Sequence, residues 1–229
     1  MTDTLEITTK VGCSNNCIYC PQDKLLKAYK GYFLMSFLDF QAILKNTPKN
    51  IQIDFTGFCE PFLNPEASLM MWYSIKSGYK TVLSTTLTGF TKHDAEVISG
   101  LKFEKFLVHE FEGVAINYDI FNAKLALIKG YERFKLTPEF RWSRAGNLYE
   151  TKRKTGRFEC GWTGKNFKRN VVLPNGDTYI CCMDYSLKHC IGNLYTTKYE
   201  DLDRDKIVRL TNEVDSDCLC RSCEMIKII

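Results

Sequence analysis

The sequence predicts an α/β protein: a partial, open barrel of repeated βα units, followed by a small C-terminal extension made of a β-hairpin and a helix. Three observations carry this expectation. Short apolar runs alternate with amphipathic stretches over the first two thirds of the chain, the pattern of strands and helices in βα units. About five such units can be counted, too few for a closed eight-fold barrel of about 250 residues. A strand–turn–strand signal and a cysteine-rich tail then replace the alternation.

Each element has a local reason. Leu5 to Thr9, Ile51 to Phe55, Thr81 to Thr85, Phe106 to His109 and Phe140 to Ser143 are short runs rich in β-branched and aromatic residues, and are expected as strands. Ser36 to Lys45, Pro65 to Lys76, Lys92 to Ser99 and Asp119 to Arg133 are expected as helices. Ser36 followed by Asp39 reads as a capping signal, and Pro65 suits a first helical turn. Further on, Val171 to Cys182 is expected to form a hairpin about Pro174-Asn175-Gly176-Asp177, its second strand running to Cys181-Cys182. In a βα fold, functional groups gather at the strand C-terminal ends, where Cys13, Gly57 and Arg144 would sit.

With 229 residues, 45% of them hydrophobic, the chain can bury a substantial core, as one large domain or as a domain with an appendage. No apolar run reaches membrane-spanning length, and Met1 to Lys10 lacks the apolar stretch of a signal peptide. A cytoplasmic protein without a membrane partner is therefore expected. Eleven cysteines in CX3CX2C and CX2C patterns point to metal ligation in a reducing compartment rather than to disulfides.

Charge is unevenly spread. Arg141 to Arg169 holds nine Lys or Arg against Glu150 and Glu159, a window of +7 within a chain of +4. Such a segment can attract a phosphate, a carboxylate or a nucleic acid, or be a solvated surface linker. The aromatic platform of a single-strand binder does not accompany it.

Cys13, Cys17 and Cys20 stand in Val11 to Pro21 at CX3CX2C spacing, where Gly12, Asn15, Asn16 and Pro21 favour a loop. Three thiolates on one loop can hold three irons of a 4Fe-4S cube and leave the fourth open. The spacing also admits zinc completed by a distant fourth ligand. At the far end Cys220 and Cys223 form a CX2C knuckle, which together with the hairpin can gather four thiolates. His93, His109 and His189 show no ligand pairing, although His109 at a strand end could face the barrel interior.

With Tyr19 just before the last cysteine, the first motif resembles the signature of the radical S-adenosylmethionine (SAM) enzymes. The resemblance implies a partial (β/α)6-like barrel, a SAM-binding 4Fe-4S cluster on Cys13, Cys17 and Cys20, and Tyr19 near the adenine. Gly57 to Pro65 (GFCEPFLNP) resembles the family's GGEP element, with Phe58-Cys59 in place of the second glycine. It implies cofactor contacts from Gly57, Glu60 and Pro61, with Glu60 accepting from an ammonium; contacts from Ser84 and Thr85, at the end of the third strand, are implied by the family resemblance as well. Ser143 to Asn147 (SRAGN) resembles a family segment in which Ser143 would meet a ribose hydroxyl. Arg144 would pair with the SAM carboxylate or an anionic substrate, the latter a catalytic role.

Gly176 to Cys181 (GDTYIC), Gly192-Asn193 and the terminal CX2C resemble the SPASM and twitch extensions. One auxiliary 4Fe-4S cluster on Cys160, Cys181, Cys220 and Cys223 is implied, leaving Cys59, Cys182, Cys190 and Cys218 without a role. Residues 1–150 would form the core and residues 151–229 the extension. The activity implied is SAM cleavage and hydrogen abstraction, with net oxidation of a small polar substrate such as a sugar or aminocyclitol. The reductant would be a flavodoxin or ferredoxin. A peptide maturase is the alternative within the family. A nonenzymatic zinc or Fe-S module binding nucleic acid is the alternative outside it.

Overall fold

Strand β1 (Thr4–Ile7) shows how the sheet is built. Leu5 and Ile7 enter the apolar core, while Glu6 between them faces the opposite side. The same alternation recurs in β2 (Gln52–Phe55), where Ile53 and Phe55 join that core on either side of Asp54. At β1 and β2 one face of the sheet is thus apolar and covered by helices, and the other is polar. The computed structural model describes residues 3–111, 117–136, 143–214 and 216–229.

Between β1 and β2 lie α1 (Gln22–Ala28) and α2 (Phe37–Lys45); α3 (Ala67–Lys76), β3 (Thr81–Thr85), α4 (Lys92–Ile98) and β4 (Lys105–Phe111) follow. Next come α5 (Tyr118–Leu125), β5 (Glu132–Leu136), β6 (Phe158–Cys160), β7 (Arg169–Val172), β8 (Asp177–Tyr179), β9 (Cys190–Asn193), α6 (Asp205–Asn212) and β10 (Ile226–Ile228). The eight-stranded sheet runs β5-β4-β3-β2-β1-β7-β8-β9, parallel from β5 through β7 and antiparallel beyond. A second, two-stranded antiparallel sheet joins β6 to β10 and sets Cys160 opposite Ile226. This is the expected α/β architecture, a partial barrel with a hairpin-and-helix extension. The hairpin continues the barrel's own sheet, because β7 lies parallel to β1 with Thr4 opposite Arg169.

Helix signals held where side chains cap the backbone. Ser36 Oγ accepts from the Asp39 N–H at 3.1 Å while Asp39 accepts from the Ser36 N–H at 2.9 Å, and Thr91 and Asp94 repeat this box at α4. Phe40, Ile43, Met70 and Met71 bury the helix faces against the sheet.

Other expectations are corrected. The helix expected over Asp119 to Arg133 ends at Leu125, because the chain turns at Gly130 (φ +71°) and Glu132 to Leu136 pairs with β4 as β5. Pro65 precedes the third helix instead of starting it, since Asn64 Oδ1 accepts the Glu66 N–H and delays the helix to Ala67. The second hairpin strand ends at Tyr179, so Cys181 and Cys182 occupy the turn after it. Helix α1, directly after Pro21, had no counterpart in the sequence reading. The strand expected over Phe140 to Ser143 falls, for residues 140–142, outside the described residues.

Candidate active site

The polar face of the sheet opens into a cavity of about 270 Å³. Cys13, Cys17 and Cys20 line it from the loop after β1, joined by Gly57 and Glu60 after β2, by Ser84 to Thr86 at the end of β3, and by His109 of β4. The C-terminal third contributes Trp162, Arg169, Cys182, Met183 and Tyr185 to the same wall. Strand C-terminal ends thus converge as a βα fold leads one to expect.

Gly57 is fixed by sterics. Its φ is +48°, and a Cβ there would stand 2.4 Å from Thr8 Oγ1 and 2.9 Å from the Ile7 carbonyl oxygen. The close approach lets the Phe58 N–H reach Thr8 Oγ1 at 3.1 Å and seats the following turn on the end of β1.

Glu60 is buried at the head of a short 3-10 turn. Its carboxylate accepts from the Thr85 hydroxyl (2.5 Å), the Thr86 N–H (2.7 Å), the Thr86 hydroxyl (2.8 Å) and the Phe62 N–H (3.4 Å). Burial nonetheless pushes its carboxyl up to about 7, against the pull of those hydrogen bonds. Asn15 Nδ2 donates to Thr86 Oγ1 at 2.9 Å, so the cysteine loop and the Glu60 ledge share one hydrogen-bond network.

The three cysteines sit in unequal surroundings. A hydrogen bond from Cys59 is the main cause that holds the Cys13 thiol low, at about 6, whereas burial pushes Cys17 up to about 12. Cys20 accepts from Gln22 Nε2 at 3.5 Å and lies 3.7 Å from the Tyr185 hydroxyl. Donors directed at sulfur suit a thiolate that carries metal.

Arg144 takes up a left-handed backbone (φ +54°) and reaches the cavity, its Nε donating to the Tyr19 carbonyl at 3.3 Å. Tyr19 also lines the cavity. Ser143 and Pro61 stand behind the wall. The Ser143 N–H donates to Glu224 at 2.6 Å and its hydroxyl accepts from Gly146, while the Pro61 carbonyl accepts from Thr9. His109 faces the cavity, and burial holds its imidazole down at about 4.

The second set of cysteines gathers apart from the first. Cys160, Cys181, Cys220 and Cys223 pack into the main apolar core, and burial together with the neighbouring Cys181 and Cys160 thiols pushes Cys223 up to about 11. The Met225 N–H donates to Cys223 Sγ at 3.4 Å. Among the remaining cysteines, Cys59 touches Cys13, Cys182 and Cys190 pack in a smaller apolar cluster with Tyr29 and Tyr185, and Cys218 is buried in the same main core as the second set, against Cys220 and His189. Among the described residues, no three His, Cys, Asp or Glu side chains converge on a single metal ion.

Much of the basic window is spent internally. Arg169 pairs with Glu6 at 2.7 Å and Lys168 with Asp3 at 3.0 Å. Lys154 donates to the Cys223 carbonyl at 3.1 Å, and Arg153 to the Ser216 carbonyl. Among the described residues no helix is long and apolar enough to cross a membrane.

The reading from sequence missed Asn15, Gln22, Thr86, Trp162, Arg169, Tyr185 and Glu6. A charged residue inside an otherwise apolar strand was the available signal for Glu6.

Residues 160–224 match the SPASM iron-sulfur cluster-binding domain. No curated protein sequence matches the chain. Among solved structures, BtrN in complex with AdoMet and 2-DOIA is similar with a TM-score of 0.74 and 16% identity, covering 98% of this chain and 93% of BtrN. Streptococcus suis SuiB bound to the precursor peptide SuiA gives 0.57 and 11%, covering 97% of this chain and 70% of SuiB. Native anSMEcpe with bound AdoMet gives 0.56 and 14%, covering 96% and 88%. The chain has the fold of the radical SAM enzymes and carries a SPASM iron-sulfur cluster-binding domain.

Proposed function

We propose that the protein cleaves SAM and removes a hydrogen atom from a small polar substrate, such as a sugar or aminocyclitol, for net oxidation. The observation that carries this reading is the shared cavity: the CX3CX2C cysteines, the Glu60 ledge, Ser84, Thr85 and Arg144 open into one space with residues of the SPASM domain. The donor set fits the group. Three thiols on one loop leave a 4Fe-4S cluster one protein ligand short, as SAM chelation requires. Held there, such a cluster would supply the one electron that splits SAM into methionine and a 5'-deoxyadenosyl radical.

The chain's own residues do the rest. Gln22 and Tyr185 orient Cys20, and Asn15 ties the cysteine loop to Thr86. Arg144 places a cation beside Tyr19, where a carboxylate of SAM or of the substrate can pair with it. Burial of Tyr19, Phe58 and Tyr185 keeps water away from a reactive intermediate. Cys160, Cys181, Cys220 and Cys223 would hold an auxiliary 4Fe-4S cluster able to accept the electron that oxidation releases. In this reading residues 1–150 are the catalytic core and residues 151–229 the auxiliary domain. The protein works in a reducing compartment, the cytoplasm, with a flavodoxin or ferredoxin as reductant.

The small-substrate reading is supported by BtrN, similar over 93% of its own length and solved with AdoMet and 2-DOIA. Peptide modification is the second reading, favoured by SuiB and anSMEcpe, both solved with peptides. The test is 5'-deoxyadenosine formation by anaerobically reconstituted protein given SAM and dithionite. Wild type should form it and Cys17→Ala should not. Equal formation by both would remove the reading.

A further inference from the structure

Glu6 is 1% exposed, yet it forms part of the cavity wall. One carboxylate oxygen, Oε1, accepts from Arg169 Nε at 2.7 Å. The other, Oε2, is buried and receives no hydrogen bond among the described residues. A buried carboxylate oxygen without a donor carries a desolvation cost that a structure ordinarily avoids. Glu6 also faces Asp54 in register on the neighbouring strand, but Asp54 gives Oε2 no hydrogen bond.

Two further wall residues surround it. The Arg169 guanidinium lies 5.3 Å from the centre of the Trp162 ring, and both side chains line the cavity with Glu6. Arg169 is matched by Glu6, so this corner has little net charge to offer an anion. An acceptor-only carboxylate oxygen needs an O–H or N–H donor. An indole beside it suits the C–H face of a saturated ring, or a cation held over it.

We propose that Glu6, Arg169 and Trp162 form a substrate subsite for a small ring bearing hydroxyl or amino groups: Glu6 Oε2 accepts one such donor, Arg169 holds the carboxylate in place, and Trp162 packs on the ring. This deepens the reading given above and rests on it for the substrate's place in the reaction. Glu6 and Trp162 are contact residues here, and Arg169 is a positioning residue. An amino group gains most, because its hydrogen bond to Glu6 is charge-assisted. A phosphorylated ring is disfavoured by the same carboxylate.

The experiment is calorimetric titration of the anaerobically reconstituted protein, with SAM present, using 2-deoxystreptamine, myo-inositol and myo-inositol phosphate. Wild type should bind the diamine best and the phosphate least. Glu6→Gln should weaken the diamine about tenfold or more and the neutral polyol only a few-fold, since an amide oxygen still accepts but carries no charge. Trp162→Ala should weaken both rings alike, and it reads the same subsite should Glu6→Gln fail to fold. The subsite is overturned if wild type binds none of the rings, or if folded Glu6→Gln binds both amine and polyol as wild type does. 5'-Deoxyadenosine formation by wild type, measured on the same preparation, separates the two ideas. Cleavage without ring binding removes the subsite alone, and ring binding without cleavage removes the proposed reaction alone.

Discussion

Cys181 and Cys182 touch through their thiols and yet belong to different parts of the molecule. Cys181 packs against the main core with Cys160, Cys218, Cys220 and Cys223, whereas Cys182 packs with Cys20 and Cys190 and lines the cavity. Cys181→Ala should therefore cost about half of the iron of reconstituted protein, about four of eight atoms, while Cys182→Ala retains it. Iron and sulfide analysis with Mössbauer spectra checks this. Equal iron in the two variants would refute the assignment.

Gly57→Ala should destabilise the fold by about 1–3 kcal/mol, because the added Cβ meets Thr8 Oγ1 and the Ile7 carbonyl in a backbone already at positive φ. Denaturant midpoints of the cluster-free protein measure it. A change within about 0.5 kcal/mol, the range of ordinary surface substitutions, would mean that β1 does not crowd this turn.

Asn170 is fully buried on β7, donating to the Phe167 and Ile180 carbonyls at 2.9 and 3.0 Å and accepting from Arg204 Nε and Nη2 at 3.1 and 3.0 Å. Asn170→Ala would leave Arg204 Nε and Nη2, and the Phe167 and Ile180 carbonyls, without these partners, although Arg204 Nη1 keeps its bond to the Tyr199 carbonyl. A loss of about 3 kcal/mol or more is expected. Thermal unfolding close to wild type would show that water replaces the amide.

Asp54 gives a pH signature. Burial, and then the charge of Glu6, push its carboxyl from 3.8 up to about 7. Between those values the folded chain holds a proton that the unfolded chain releases. Its contribution is therefore complete below pH 3.8 and is lost as pH rises through about 7. Stability of the cluster-free protein should decline across this window by roughly 1–4 kcal/mol more in wild type than in Asp54→Asn. Glu60, raised for the same reason, leaves some slope in the variant. Parallel pH profiles would exclude Asp54 as the source.

Several features were legible because their physics is local. Ser36 and Asp39 cap one another within a single turn, and the alternation within β1 and β2 separates an apolar face from a polar one. The cysteine loops were legible because their members are neighbours in sequence. Others depend on distant contacts. The helix expected over Asp119 to Arg133 ran into the first two residues of β5 because apolar spacing runs on past Leu125, and only pairing with β4 shows Glu132 to Leu136 to be a strand. The Glu60 network needs Thr85 and Thr86 from another strand, and the Glu6 corner needs Arg169 from 163 residues away. Such partners leave no spacing to read.

The parallel pairing of β7 with β1 also bears on how the chain folds as it is synthesised. Thr4 to Ile7 are made about 165 residues before their second sheet neighbour, Arg169 to Val172. Until then β1 is an open edge, a ready template for pairing with other chains. A product halted before residue 169 would carry the cysteine loop on an unfinished sheet. The late hairpin is thus a folding checkpoint: the barrel strand that leads into the first metal motif gains its full complement of hydrogen bonds only as the second motif is being completed.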